Sequence, residues 1–269
     1  LTLTATPIPR TLSMSVYANM DVSVIDELPP GRKPIQTSCL PLSRKDKLIE
    51  RMLAATRQGS KVYWICPLIE ESENLDLNAV METFEDLSEH FSQDKVGCLH
   101  GKLSANKKQE QIQAFKDSKT SILVSTTVVE VGVDIPDADI MVIENAERFG
   151  LAQLHQLRGR IGRGTKESFC ILLHKDKIQD ISSQRLQVLV SSQDGFKIAE
   201  EDLVIRGPGE IMGAQQTGIV PMKYTNLVRD SQYLMETKKV AELICNEEPE
   251  LANQLIERWI SGSIAFADA

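Results

Sequence analysis

Five stretches of the chain are almost continuously apolar and rich in β-branched residues: "KVYWICPLI" (61–69), "KVGCLHG" (95–101), "TSILVSTT" (120–127), "ADIMVIENA" (138–146) and "ESFCILLH" (167–174). A strand with one wet face alternates apolar and polar positions. These do not alternate, so they predict strands covered on both faces, as in a parallel sheet. Between them the period becomes helical. Residues 43–58 set Leu48, Ile49, Met52 and Leu53 on one face, with Ser43 as the expected N-cap and Gly59 as the stop. Residues 77–91 space Leu77, Val80, Met81, Phe84, Leu87 and Phe91 at helical intervals, and residues 104–117 open at Ser104 and carry Ile112 and Phe115. Such alternation predicts an α/β fold, a parallel sheet flanked by helices, over about residues 35–175.

Beyond residue 180 the strand-like runs stop. "SQRLQVLVSSQDG" reads as a short helix, and "IRGPGEIMGAQQTG" reads as a glycine-rich loop. Residues 225–245 read as a helix bearing Leu227, Val228, Leu234, Met235, Val240 and Leu243, and Pro249 opens a last one with Leu251, Leu255, Ile256 and Trp259. The tail is a helical appendage. The pattern contains no internal repeat.

Composition changes this picture little. The chain has 269 residues, 42% hydrophobic and 25% charged, long enough for a normal core. The formal charge of −8 argues against a uniformly basic surface, so contact with nucleic acid must go through local patches or other parts of a larger assembly. Eight Asp or Glu and no Lys or Arg between Glu70 and Glu89 read as the solvated face of a helix. Cys39, Cys66, Cys98, Cys170 and Cys245 form no Cys-x-x-Cys pair and read as reduced, buried thiols of a cytoplasmic protein, with no metal site. No apolar run approaches the ~18 residues of a membrane span, and no signal peptide is expected.

Against the acidic background, "QLRGRIGRG" (156–164) concentrates three arginines among three glycines. A dinucleotide loop would need a strand before it and a helix after it. Here the order is inverted: "LAQLHQLR" is helical and "ESFCILLH" is a strand. No helix N-terminus is on offer, so an anion bound here must be held by side chains, and the planar guanidinium fork suits that. A solvated basic turn is the alternative.

"QLRGRIGR" resembles the sixth motif of superfamily 2 helicases, Gln-x-x-Gly-Arg-x-Gly-Arg. "LTATPIPRT" (3–11) is similar to the third motif and "TTVVEVGVDIPDA" (126–138) to the fifth, with "HGKL" (100–103) similar to the region before it. "RLQVLVSSQDGFKIAEEDLVIRGPGEIMGAQQTG" is similar to the translocation motif of the RecG family of branch-migration helicases, shared in part with transcription-repair coupling factors. The resemblance covers nearly the whole chain.

It implies a RecA-like second motor domain at 28–180, preceded at 1–27 by the end of a first motor domain, and followed by a helical hairpin and loop at 181–235 and helices at 236–269. Two such domains close on one ATP, and the second supplies arginines to the γ-phosphate. The matching residues are Arg160 and Arg163, with Gln156 in the same motif and Gly159 and Gly162 permitting close approach. A loose phosphoryl-transfer transition state spreads charge that a fixed guanidinium stabilises, worth ~10³–10⁵ in rate. Arg158 falls outside the two motif arginines and reads as structural or DNA-contacting. Gly132 and Asp134 belong to the fifth motif, near nucleotide or the motif-six arginines. Thr126 and Thr127 suit a DNA phosphate, capping of a helix being the other reading of Thr127. His100 and Lys102 match DNA-backbone positions; a structural histidine and a solvated lysine are the alternatives. In the translocation motif the matches are Arg185, Arg206 and Gln216, expected to couple motor closure to the duplex through a loop at 204–218.

Neither a phosphate loop of the form Gly-x-x-x-x-Gly-Lys-Ser/Thr nor an Asp-Glu-x-His/Gln box occurs in the chain. ATP and Mg²⁺ are therefore expected to be bound mainly by a first motor domain outside it, and the isolated chain is expected to hydrolyse no ATP. The expected partners are branched double-stranded DNA and the wedge and first motor domains of the same protein, with no membrane. The expected location is the bacterial cytoplasm, at the nucleoid. Residues 1–27, cut from their sheet, are expected to pack poorly, swap or be disordered. The competing readings are the same half of a transcription-repair translocase, half of an RNA helicase, and a binding module without chemistry. An aromatic content of 5% speaks against a base-stacking platform.

Overall fold

The computed structural model describes residues 25, 33–67, 73–92, 95–126, 138–162, 164, 166–213, 230 and 233–260. The expectation for 1–27 lies outside them, Ile25 excepted. The chain divides into two compact units, with the boundary between Ile198 and Ala199.

The first unit is a RecA-like α/β sheet. Its strands are β1 (Ile35–Pro41), β2 (Val62–Cys66), β3 (Val96–Leu99), β4 (Ile122–Thr126), β5 (Ile140–Ile143) and β6 (Ser168–His174). Their order across the sheet is β1-β6-β5-β2-β4-β3, and every pairing is parallel. The helices are α1 (Lys45–Arg57), α2 (Glu73–His90), α3 (Ala105–Lys116), α4 (Leu151–Arg158) and α5 (Asp180–Ser191).

Two cores explain the unbroken apolar runs. Val62, Trp64 and Cys66 of β2 join Val124, Val142 and Leu173 under Leu48, Ile49 and Met52 of α1 and Val80 and Leu87 of α2. Tyr63 and Ile65 point the other way, with Leu123, Met141, Ile143, Cys170 and Leu172, under Phe115 of α3, Leu151, Leu154 and Leu157 of α4, and Leu186 and Leu189 of α5. Successive residues of one strand thus serve opposite faces, and both faces are dry. One buried polar knot ties the first layer together. Glu144 accepts from Trp64 Nε1 (3.0 Å) and Thr83 Oγ1 (3.3 Å) and pairs with Lys45 (3.2 Å), which also reaches Asp86 (2.8 Å).

Several details differ from the sequence reading. β1, "IQTSCLP", is a sixth strand whose polar Gln36, Thr37 and Ser38 hide its periodicity. It lies at the sheet edge with one neighbour, where Pro41 lacks no needed donor. Ser43 is not a helix cap: residues Leu42–Arg44 form a 3-10 turn, and α1 starts at Lys45 without a side-chain cap. Ser104 does cap α3, accepting from the Lys107 amide at 3.4 Å, and Gly59 ends α1 with φ +85°. Cys66 and Cys170 are buried as expected, but Cys39 and Cys98 are half-buried and Cys245 is exposed.

A helix α6 (Gly195–Gly213) crosses the boundary between the units. It replaces the first part of the expected glycine-rich loop: the helix-favouring run Ala199–Ile205 carries the backbone through Gly207 and Gly209 as far as Gly213. In the second unit, α7 (Leu234–Glu247) packs on α8 (Pro249–Ile260). The α7 helix spans Leu234–Glu247, residues 225–229 of the expected helix lie outside the described residues, and Pro249 opens α8 as expected. Among the described residues no helix is long and apolar enough to cross a membrane.

Candidate functional site

Helix α4 is held by Leu151, Leu154 and Leu157, and Ile161 just beyond it is also buried. That apolar side fixes which residues face outward. Gln156 is exposed on the last turn of α4. The chain then turns. Gly162 has φ +75°, and a Cβ there would stand 3.0 Å from Ile35 Cγ1 and 3.6 Å from Ser168 Oγ, so both backbone and space require glycine. Gly159 is different: its φ of −63° suits any residue.

Arg158 is 3% exposed and is structural. Its Nη1 donates to the carbonyls of Leu189 (2.7 Å) and Ser192 (2.8 Å), and more weakly to Thr37 Oγ1 (3.4 Å). Both carbonyls belong to the C-terminal end of α5, where orphan oxygens and the negative end of the helix dipole favour a cation. Burial pulls the Arg158 pKa down.

The turn after α5 is clamped twice more. Gln193 Oε1 accepts from the Ile35 amide (3.2 Å) while its Nε2 donates to the Ile35 carbonyl (3.1 Å). A Cβ on Gly195 would lie 2.9 Å from His155 Cε1 of α4. Asp194 caps α6, accepting from the Phe196 amide at 2.8 Å. Of these residues only the Asp-Gly pair carries a sequence signal, that of an N-cap; Gln193 and His155 show none.

Arg160 is half-buried, and no described residue pairs with its side chain. Arg185 of α5 is half-buried too, and its Nε is buried without an acceptor among the described residues. Arg163, Thr127, Gly132, Asp134 and Gln216 lie outside the described residues; Arg206 lies on α6, with its side chain outside them.

At the opposite edge of the sheet, His100 follows β3 and Thr126 ends β4. Leu99 pairs with Ser125, so His100 and Thr126 are register neighbours. His100 Nδ1 and Thr126 Oγ1 are both buried without a hydrogen-bond partner among the described residues, while Ser125 Oγ donates to the Thr126 carbonyl at 2.8 Å. Burial first, then Lys108 and Lys102, lowers the His100 pKa. Lys102 and Lys107 are exposed beside the α3 N-terminus, and Lys108 Nζ bonds the Gly101 carbonyl at 2.9 Å. Lys107 and Lys108 are thus additions to the sequence reading.

The fold brings His100, Thr126 and Lys102 together at the strand ends. It sets Gly162, by contrast, beside the strand starts Ile35 and Ser168. The strands β6 and β4 are separated by β5 and β2, roughly 14 Å at ordinary strand spacing. The structure therefore carries two separate polar regions. Among the described residues no cluster of three His, Cys, Asp or Glu could hold a metal ion.

Residues 44–165 match the helicase conserved C-terminal domain, and residues 192–258 match the C-terminal part of domain 3 of ATP-dependent DNA helicase RecG. The ATP-dependent DNA helicase RecG of Pasteurella multocida is 50% identical over 262 residues, covering 97% of this chain and 38% of that protein. That of Escherichia coli K12 is 48% identical over 270 residues, covering 100% of this chain and 39% of that protein. The chain thus spans well under half the length of these relatives. A structure of RecG bound to a three-way DNA junction superposes with TM-score 0.66 at 44% identity, over 86% of this chain and 30% of that one.

Proposed function

Because the chain corresponds in sequence and fold to the C-terminal part of RecG-type helicases, we propose that it is the second motor domain and translocation segment of an ATP-dependent double-stranded DNA translocase that remodels stalled forks and branch-migrates junctions. In this reading residues 28–180 are the motor domain, 181–235 the hairpin and loop, 236–269 the terminal helices, and 1–27 the end of the first motor domain. The protein works in the bacterial cytoplasm.

The observation that carries the reading is the division of labour between two arginines, one at the end of α4 and one just past it. Arg158 is spent inside the protein, capping α5. Arg160, two residues on, has no partner among the described residues. A guanidinium that no described residue pairs fits the triphosphate of ATP, and Arg163 and Gln156 complete the same motif. ATP, held with Mg²⁺ mainly by the first motor domain, supplies a phosphoryl group to be transferred to water. Arg160 and Arg163 stabilise the charge that spreads over that group. Gly132, Asp134 and Gly159 shape the wall around them.

His100, Thr126, Thr127 and Lys102 contact the DNA backbone at the other edge, joined by Lys107. The orphaned His100 Nδ1 and Thr126 Oγ1 are groups a phosphate or its water could satisfy. Movement of α4 toward nucleotide is passed to α5 through Arg158 and on to Arg206 and Gln216, with Arg185 along the way. The match at 192–258 favours this reading over an RNA helicase.

The test joins this chain to the preceding segment that its relatives carry and measures ATP turnover and unwinding of a three-way junction. The joined protein is expected to do both, and this chain alone neither. Robust hydrolysis by the chain alone contradicts the reading, as does an inactive joined protein that binds ATP and DNA.

A further inference from the structure

Two contacts show how the motif-six turn runs along the first strand. Arg158 Nη1 reaches Thr37 Oγ1 at 3.4 Å, and a Cβ on Gly162 would stand 3.0 Å from Ile35 Cγ1. As the chain advances from 158 to 162, its neighbour on β1 retreats from 37 to 35. Thr37 and Ile35 are alternate residues of one strand and share a face of the sheet, the face on which Ile35 packs with the leucines of α4. The next residue of that series is Lys33.

The approach to β1 is held firmly. Gln193 binds both the amide and the carbonyl of Ile35, at 3.2 and 3.1 Å. Pro34 has a fixed φ and drives the residue before it into extended backbone. Lys33 therefore keeps the alternation of the strand and lies on the Ile35 side, beyond Gly162. Two lysines precede the strands that bracket Gly162, Lys33 before β1 and Lys166 before β6. Lys166 is engaged elsewhere, its Nζ 3.3 Å from the Gly59 carbonyl and 3.5 Å from Asp139. Lys33 is exposed and pairs with no described residue.

We propose that Lys33 is a further phosphate contact of the nucleotide site, placing a point charge on the polyphosphate of ATP beside the fork of Arg160. This rests on the function proposed above. An ammonium on a flexible stem holds the ground state and the transition state about equally, so Lys33 supports ATP affinity and leaves the chemical step to the arginines. DNA is the other source of phosphate in such a motor. The position favours nucleotide, because Lys33 lies at the strand starts with Gly162, whereas His100 and Thr126 lie at the strand ends.

The experiment uses the joined protein with a synthetic three-way junction and compares Lys33→Gln, Lys33→Arg and Arg160→Ala with the parent. Turnover is followed against ATP concentration, ATP affinity by displacement of a fluorescent ATP analogue, and junction affinity in the absence of nucleotide. Lys33→Gln is expected to raise the KM and the Kd for ATP about fivefold or more, with kcat within about twofold and the Tm unchanged. Lys33→Arg is expected to restore most of the affinity. Arg160→Ala is expected to show the opposite split, losing kcat while ATP still binds. Parent-like ATP affinity in Lys33→Gln overturns the contact, and so does a loss confined to junction affinity, which would make Lys33 a DNA contact. A lowered Tm without rescue by arginine overturns it as well, since the effect is then structural. The two failures separate. A parent that neither binds nor hydrolyses ATP sinks the functional reading and this proposal with it, whereas normal parent turnover with unaltered ATP affinity in Lys33→Gln sinks the proposal alone.

Discussion

The Arg158 guanidinium lies 2.7 Å from the Leu189 carbonyl and 2.8 Å from that of Ser192, so an arginine of the motif-six helix closes the C-terminus of α5. Replacing it with Met keeps much of the volume and leaves two buried carbonyls without a donor. Each such orphan costs about 1–3 kcal/mol. Arg158→Met is expected to lose about 2–4 kcal/mol and to lower the Tm by about 5–15 °C. Arg158→Lys, with one point charge in place of a fork, recovers less than half. Chemical and thermal unfolding check this; a loss below about 0.5 kcal/mol would mean the cap is idle.

The two glycines of the same stretch should separate cleanly. Gly162→Ala meets Ile35 at 3.0 Å and must hold φ +75°, costing about 1–3 kcal/mol. Gly159→Ala, at φ −63°, should cost under about 1 kcal/mol in stability. Equal unfolding midpoints for the two variants would contradict the geometry.

Gly195 and His155 offer a bump-and-hole test. A methyl group at 195 would stand 2.9 Å from the imidazole Cε1. Gly195→Ala should destabilise the chain by about 1–3 kcal/mol, and adding His155→Ala should return part of that. Additive losses from the two substitutions would show that the contact is not what excludes a side chain at 195.

Stability should fall on both sides of neutrality. Burial first, then Arg158, lowers the His155 pKa, and burial with Lys108 and Lys102 lowers that of His100. The unfolded chain then takes up protons that the folded one refuses, so stability is lost as pH falls below about 6.5. Burial also pushes the thiols of Cys66 and Cys170 up to about 12 and those of Cys39 and Cys98 to about 11. The unfolded chain releases those protons first, so stability is lost again above about pH 8.5. Urea midpoints across pH 5–10 test both limbs. Thiol labelling at pH 8 should find Cys245 fast and the other four slow.

Much of the sheet was legible because its interior strands are dry on both faces; "SILVST" and "DIMVIE" announce themselves. The edge strand "IQTSCLP" did not, since three of its seven positions are polar and it is held by pairing with β6 and by the Gln193 clamp. Ser43 looked like a cap and is not one, because a 3-10 turn intervenes. For motif six the inverted strand–helix order led to an expectation of side-chain anion binding, which stands as a proposal. Its first arginine was not assignable from sequence: only the packing of α5 reveals that Arg158 faces two carbonyls 31 and 34 residues away.

The central claim is the proposal that Arg160, which pairs with no side chain among the described residues, serves a triphosphate presented by another domain. The measurement is the DNA-stimulated kcat for ATP of the joined protein against its Arg160→Ala variant, with nucleotide affinity followed separately. The expected result is a fall of about 10³-fold or more in kcat with ATP still bound and the Tm unchanged. A kcat within about threefold of the parent at saturating ATP and DNA would contradict it.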